Sequence, residues 1–258
     1  MTDLISLDRR GAIAVVTLER PERRNAVDGD TAQALYDAFQ ALDQDDAISV
    51  SILTGRGPHF CAGADLKALA DGQGANPVSR TGDLGPMGPT RLRTRKPVIA
   101  AIEGYAVAGG LELALWADLR VAASDAVFGV FCRRFGVPLI DGGTIRLPRL
   151  IGQSRAMDMI LTGRAVGAQE ALSFGLVNRL SAPGAALDAA LDLASQIAAF
   201  PQTCLRNDRQ STLEQWSLDW DAALSAETAL GLDTLRSGEA VTGAQRFTSG
   251  QGKHGKFD

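Results

Sequence analysis

Residues 96–118 read K-P-V-I-A-A-I-E-G-Y-A-V-A-G-G-L-E-L-A-L-W-A-D, and no other stretch constrains the fold as strongly. Residues 98–102 form a continuous apolar run behind a proline, which suits a strand buried on both faces. After Gly104 come the small residues Ala106-Val107-Ala108-Gly109-Gly110, which read as a turn. Leu111, Leu113, Ala114, Leu115 and Trp116 then make an apolar run that suits a buried helix. A strand feeding a helix through glycines lets backbone approach a ligand closely. It also aims the unused N–H groups of the first helical turn at that ligand. Glu112 follows Gly109 by three residues, so the two share a face of that turn. One site can then hold an oxyanion beside a carboxylate that moves protons. The plainer reading of Glu112 is an early helical carboxylate favoured by the helix dipole.

The rest of the chain extends this α/β pattern. Residues 5–18 read as two strands about an Arg9-Arg10-Gly11 turn, and residues 48–53 as a third. Between them, Ala32, Leu35, Ala38, Phe39 and Leu42 recur at helical spacing, with Asp28 or Asp30 as N-cap. Residues 71–90 hold glycines and prolines with few large apolar side chains, the composition of a mobile loop over a site. A strand is expected at residues 119–123 and a short helix at 142–147, stopped by Pro148. Residues 154–161 read as a helix closed by Gly163, residues 168–173 as another helix, and residues 176–180 as a strand. From Ala185 the pattern is helical, broken at Pro201. Early alternation followed by helices predicts an α/β core, residues 1–195, and a helical C-terminal part, residues 196–258.

Composition narrows the function. A net charge of −4 argues against a general nucleic-acid binder. No apolar run approaches the roughly 18 to 20 residues of a membrane span, and the N-terminus lacks the apolar core of a signal peptide. A cytoplasmic protein without a membrane partner is expected. Cys61, Cys132 and Cys204 are widely spaced and odd in number, giving neither a disulfide framework nor a zinc pattern. With only His59 and His254 besides, no metal site is expected.

Four segments together resemble the crotonase superfamily, also called the enoyl-CoA hydratase/isomerase family. They are Arg20-Pro21-Glu22-Arg23-Arg24-Asn25-Ala26, Phe60-Cys61-Ala62-Gly63-Ala64-Asp65-Leu66, residues 97–106 with Gly109-Gly110-Leu111-Glu112, and Gly142-Gly143-Thr144 with Arg146-Leu147. Gly163-Arg164 and Gly175-Leu176-Val177 continue the match. The resemblance implies a spiral of β-β-α turns, followed by helices that pack on neighbouring subunits in a homotrimer or a dimer of trimers. It implies an acyl-CoA substrate, and no cofactor beyond the CoA moiety of that substrate. It places two oxyanion-binding N–H groups on Ala64 and Gly109, whose alternative role is that of tight-turn residues. It sets the CoA nucleotide against Arg23, Arg24 and Ala26, and the adenine-side wall against Ala62, Asp65 and Leu66. Surface arginines are more often simply solvated. Lys253 and Lys256 are further candidates for a CoA phosphate, or parts of a frayed tail.

The sequence also departs from the family pattern. Glu112 matches the first of the two glutamates that hydratases set around a water, but the second falls on Cys132. A thiol does not replace a carboxylate as an acid without a strongly perturbed environment. Cys132 otherwise reads as a small buried residue or, with less support, a nucleophile. Asp141 stands where many hydratases carry alanine, and its D-G-G is similar to a segment of the naphthoate synthases. It is a second proton-moving carboxylate or the N-cap of the next helix. His59 and Cys61 flank Phe60 and would share a side if extended, a dyad geometry that competes with the oxyanion turn.

The enzyme expected from these residues acts on an acyl-CoA through an enolate. It adds or eliminates at the α,β positions, or shifts a double bond, on a non-standard acyl group. A hydrolase or a carbon–carbon bond-forming enzyme uses the same oxyanion turn, and a non-catalytic CoA- or RNA-binding protein is the alternative from another class. Residues 71–90, Val130 to Arg134 and the C-terminal helices are the expected walls of the acyl site, with Arg133 and Arg134 available to a polar group.

Overall fold

The computed structural model describes residues 4–72 and 74–252. By its contacts the chain divides into two units at Ile197/Ala198. In the first unit, β1 (Ile5–Arg10) and β2 (Ile13–Leu18) form an antiparallel hairpin whose turn needs Gly11 at φ 61°. The next segment, residues 20–25, is too polar and irregular for either regular element, and it forms a 3-10 turn, Pro21–Arg23, with Arg24 and Asn25 at positive φ. Helix α1 (Gly29–Gln44) follows. Asp28 is its N-cap, accepting the Thr31 N–H at 3.0 Å, and its buried stripe is Ala32, Leu35, Phe39 and Leu42.

The chain then builds parallel strands beside β2: β3 (Val50–Gly55) and β4 (Val98–Ile102). Between them lies α2 (Leu66–Asp71), capped by Asp65. Its six residues, L-K-A-L-A-D, are too few to display helical periodicity. Every residue of β4 is buried, as the apolar run V-I-A-A-I requires of a strand covered on both faces. Residues 105–107 form a further strand, β5 (Tyr105–Val107), where the small residues read as a turn. The reason is tertiary: Cys61 N–H donates to Tyr105 O at 2.9 Å and Val107 N–H to Cys61 O at 3.1 Å, so the pairing partner comes from a distant segment.

Helix α3 (Gly109–Trp116) is buried from Gly110 onward. A Cβ on Gly110 would collide with Cys61 O, so α3 starts in direct contact with the segment before Ala64. Its other end is held by the buried Arg120 on β6 (Leu119–Ala123). That guanidinium donates to Ala117 O at 2.7 Å, Ala114 O at 3.3 Å and Leu176 O at 2.7 Å.

Strand β7 (Val127–Gly129) pairs parallel with β5 and antiparallel with β8 (Val166–Gly167), making a three-stranded sheet. Helix α4 (Gly143–Ile151) runs through Pro148 instead of stopping there. The ring forfeits the bond to Thr144 O, yet the helix is pinned at its start by Gly143 and inside by buried Leu147 and Ile151, so packing outweighs the proline. Helix α5 (Gln153–Thr162) ends on Gly163 at φ 59°, and α6 (Ala168–Phe174) leads to β9 (Arg179–Ser181). The six-stranded sheet thus has the order β1-β2-β3-β4-β6-β9, parallel except for its first pair. Helix α7 (Ala186–Ala198) ends at the boundary of the unit.

The second unit contains α8 (Gln202–Glu214), α9 (Trp220–Arg236) and α10 (Glu239–Thr248). Asn207 Nδ2 joins α8 to α9 by donating to Leu230 O and Thr234 Oγ1 at 3.0 Å each. Glu239 accepts the Thr203 and Cys204 N–H groups at the start of α8, where an acidic group offsets the helix dipole.

Candidate active site

Val27 and Ala64 form an isolated parallel bridge, in which Val27 N–H donates to Gly63 O and Asp65 N–H to Val27 O, both at 2.8 Å. In such a bridge the residue flanked by the two bonds turns its own N–H to the opposite side. Ala64 is that residue, and it lines a cavity of about 330 Å³. A Cβ on Gly63 would sit 2.9 Å from Gly109 N, so the turn before Ala64 abuts the first residue of α3. Gly109 lines the same cavity. As the first helical residue it has no intrahelical acceptor. Among the described residues, neither the Ala64 nor the Gly109 N–H donates to another protein group.

Ala108, just before Gly109, has φ 53° and ψ −126°, a conformation costing about 1–3 kcal/mol for a residue with a side chain. It is held there by its N–H on Gly129 O at 2.9 Å and by Leu111 and Glu112 N–H groups on its carbonyl. The strain falls on the peptide unit that aims the Gly109 N–H.

Glu112 and Asp141 are buried in the wall of the cavity, 2% and 3% exposed. Glu112 Oε1 accepts the backbone N–H of Asp141 at 2.9 Å and of Gly143 at 2.8 Å. Asp141 Oδ1 accepts the Met87 N–H at 2.9 Å and the Thr90 hydroxyl. Each carboxyl is therefore gripped by one oxygen. Burial pushes Glu112 up to about 7, and the Asp141 charge adds to the rise. The two N–H bonds and the Arg146 charge act in the other direction. Burial also raises Asp141 from its ordinary value, against the Thr90 hydroxyl, the Met87 N–H and the Arg91 and Arg146 charges. A Glu112 that titrates near neutral pH, with Asp141 raised beside it, suits proton transfer in both directions. Asp141 does not cap α4: the N-cap is Gly142 at φ 90°, with no side-chain cap bond.

The structure brings Ala62, Ala64, Leu66, Gly109, Glu112 and Asp141 to one cavity. Arg23, Arg24, Ala26 and Asp65 lie outside its lining. Arg23 donates to Asp65 Oδ2 at 2.9 Å, and its side chain is 42% exposed. Ala26 donates to Arg23 O and accepts from Arg20, so its backbone groups serve the local fold. Asp65 takes Arg20 and Arg23 on one oxygen and the Lys67 and Ala68 N–H groups on the other, which makes it a pin for this corner. Lys253 and Lys256 lie outside the described residues.

Cys132 lines the cavity in the 3-10 turn Phe131–Phe135. Burial, and after it the Glu112 charge, push its thiol up, away from the reactive thiolate. Cys61 and His59 form no dyad. Burial pushes the Cys61 thiol up to about 12, its sulfur accepts the Gly63 N–H at 3.4 Å, and His59 packs its ring against Tyr105. Arg133 and Arg134 donate to Ile160 O and Gly163 O, and Arg134 stacks on Phe131.

Sequence reasoning missed Asn76, Met87 and Thr90. Asn76 Nδ2 ties the 74–90 stretch to Val27 O at 3.0 Å and Pro86 O at 2.8 Å, and Asn76, Val78, Pro86 and Met87 complete the cavity wall. The stretch does lie over the site, but its polar contacts have no periodicity that a sequence could display.

The chain is similar to known proteins. A family model described as enoyl-CoA hydratase/isomerase matches residues 8–253. The chain is 35% identical over 248 residues to enoyl-CoA hydratase EchA19 of Mycobacterium tuberculosis, covering 93% of this chain and 92% of that protein. It is 41% identical over 202 residues to a carnitinyl-CoA dehydratase of Salmonella arizonae, covering 76% and 75%. The crystal structure of enoyl-CoA hydratase EchA1 from Mycobacterium marinum superposes with a TM-score of 0.89 at 39% identity, over 95% of this chain and 96% of the other.

Proposed function

The chain belongs to the enoyl-CoA hydratase/isomerase family, the crotonase superfamily, and we propose that this acyl-CoA enzyme adds or eliminates a group across the α,β bond of a non-standard acyl thioester. The observation that carries the reading is the placing of two unused N–H groups and two singly gripped carboxyls on one cavity. The thioester oxygen accepts from Ala64 and Gly109 as negative charge develops on it. Each such donor is worth roughly 2.7 to 4 kcal/mol where one has been removed from an enzyme. With the enolate so held, one carboxylate takes the α proton, and the other carboxylic acid protonates the group leaving the β carbon. Elimination and addition are the same path run in opposite directions, and return of the proton at a different carbon shifts the double bond instead.

The names of the relatives, a hydratase and a dehydratase, support addition and elimination of water. Cys132 where a second glutamate would stand supports Asp141 as partner of Glu112. Leu69, Val78, Met87, Phe131, Phe135 and Ile140 give the acyl group an apolar wall. Arg23 and Arg24 are assigned to the CoA phosphates, on charge and exposure. We place the enzyme in the cytoplasm as a homotrimer or a dimer of trimers, needing no cofactor beyond the CoA moiety of its substrate. Exposed Trp220, Leu235, Val241 and Phe247 of the second unit support self-association.

The test is mass-resolved turnover of a panel of acyl-CoAs in heavy water. The wild type is expected to place deuterium next to the thioester, and Glu112→Gln and Asp141→Asn to lose at least about a hundredfold of that rate. Loss in Glu112→Gln alone would remove Asp141 from the chemistry. Measurable CoA binding without exchange or turnover across the panel would leave a non-catalytic CoA-binding protein.

A further inference from the structure

We propose that Thr90 is a positioning residue for proton transfer, holding Asp141 so that only Oδ2 faces the substrate and any proton the acid carries sits on that oxygen. Thr90 acts in this way only if Asp141 moves protons, as proposed above.

Thr90 is 1% exposed, in the 3-10 turn Pro89–Arg91, and its hydroxyl donates to the oxygen that already accepts the Met87 N–H. A carboxyl oxygen with two donors aimed at it cannot take a proton without turning one donor away. Protonation therefore falls on Oδ2. The arrangement is rigid on both sides. Arg146 donates to Asp141 O at 2.9 Å and to Thr90 O at 2.7 Å, so one half-buried guanidinium clamps both members of the pair. Gly85 and Gly88 exchange backbone bonds of 2.7 and 2.8 Å in a tight turn beside it. A Cβ on Gly85 would collide with Thr90 Oγ1 and lie 2.9 Å from Asp141 Oδ1, so the turn packs directly onto the hydrogen bond. The same construction recurs at Glu112, where two backbone N–H groups occupy Oε1.

Four other groups act on Asp141 or face it: Glu112 on α3, Arg146 on α4, Arg91 beside Thr90, and the Cys132 thiol on the same cavity. None replaces a hydroxyl donor on Oδ1. Without that donor the ionised form is less stabilised, and the acid holds its proton to higher pH.

Thr90→Val keeps the shape and removes the donor, Thr90→Ser keeps the donor, and Thr90→Ala is a second removal should valine not be accommodated. Carbon-13 aspartate labelling follows the Asp141 carboxyl, identified as the signal absent from Asp141→Asn. Turnover is read with the fastest acyl-CoA of the heavy-water panel. Thr90→Val, or Thr90→Ala in its place, is expected to move the Asp141 midpoint up by on the order of one pH unit. It should also lower kcat at least about tenfold with KM held within about twofold, and Thr90→Ser should restore both. An unmoved midpoint, an unchanged kcat, or equal losses in valine and serine variants would each overturn the role while leaving Asp141 in the mechanism. Full activity in Asp141→Asn, or no turnover of any panel member, would overturn the reading of Asp141 itself and Thr90 with it.

Discussion

Glu112 shows how much one buried acid can weigh in stability. Its carboxyl sits near 4.5 when solvated and about 7 when folded, so the native state binds its proton more tightly than the unfolded chain does. Stability linked to this group is therefore fully present below about pH 4.5. It falls as pH rises toward 7, and the whole penalty remains above that. Glu112→Gln keeps an oxygen for the Asp141 and Gly143 N–H groups and removes the charge. The variant is expected to unfold at the same denaturant concentration as wild type near pH 4.5, and at a higher one at pH 8. The gain at pH 8 is at most about 3 kcal/mol. A gain independent of pH in urea titrations would mean that the carboxyl is not held back by burial. At this scale the sequence was only partly legible. The helical spacing of Gly109 and Glu112 placed that acid beside a free N–H, whereas Asp141 reads equally well as a cap. What decides it is the φ of Gly142 and a hydroxyl 51 residues away in the chain, and local sequence encodes neither.

At the scale of elements, the site depends on α3 and α4 meeting end to side without a side chain between them. A Cβ on Gly143 would lie 2.8 Å from Glu112 Oε1 and 3.0 Å from its Cγ. Gly143→Ala is expected to push the start of α4 away and break the bond that orients Glu112, costing about 1–3 kcal/mol and most of the deuterium exchange. Gly167→Ala, whose Cβ would meet nothing within 4 Å, should leave the exchange unchanged and cost at most about 1 kcal/mol, as the N-cap of α6. Thermal unfolding and the heavy-water assay on the two variants separate a packing requirement from a general intolerance of alanine. Elements with a strong pattern were legible: the hairpin, α1, β4 and α3, although only the structure chooses Asp28 over Asp30 as the cap of α1. The three-residue strands β5 and β7 were not, because their bonds come from partners elsewhere in the chain. Pro148 misled for a related reason, since a stop signal is a local preference and α4 is held by its packing.

For the whole molecule, the alternation of strands and helices foretold an α/β core, and the late helical pattern foretold that helices follow Pro201, as α8, α9 and α10 do among the described residues. The proposed assembly is tested by light scattering, which should give a mass about three or six times 27.1 kDa at micromolar concentration. A mass of 27.1 kDa that persists on concentration would show that the exposed apolar side chains of the second unit do not drive association. The strand order carries a further consequence, for biogenesis. The sheet neighbour of β6 is β9, which leaves the ribosome long after β6 itself, with α4, α5 and α6 synthesised in between. Until β9 arrives, one side of β6 has no partner, although the whole wall of the cavity has already been made. A nascent chain stalled in that interval would hold Ala64, Gly109, Glu112 and Asp141 and still present an open strand edge, the kind of surface that chaperones and proteases recognise.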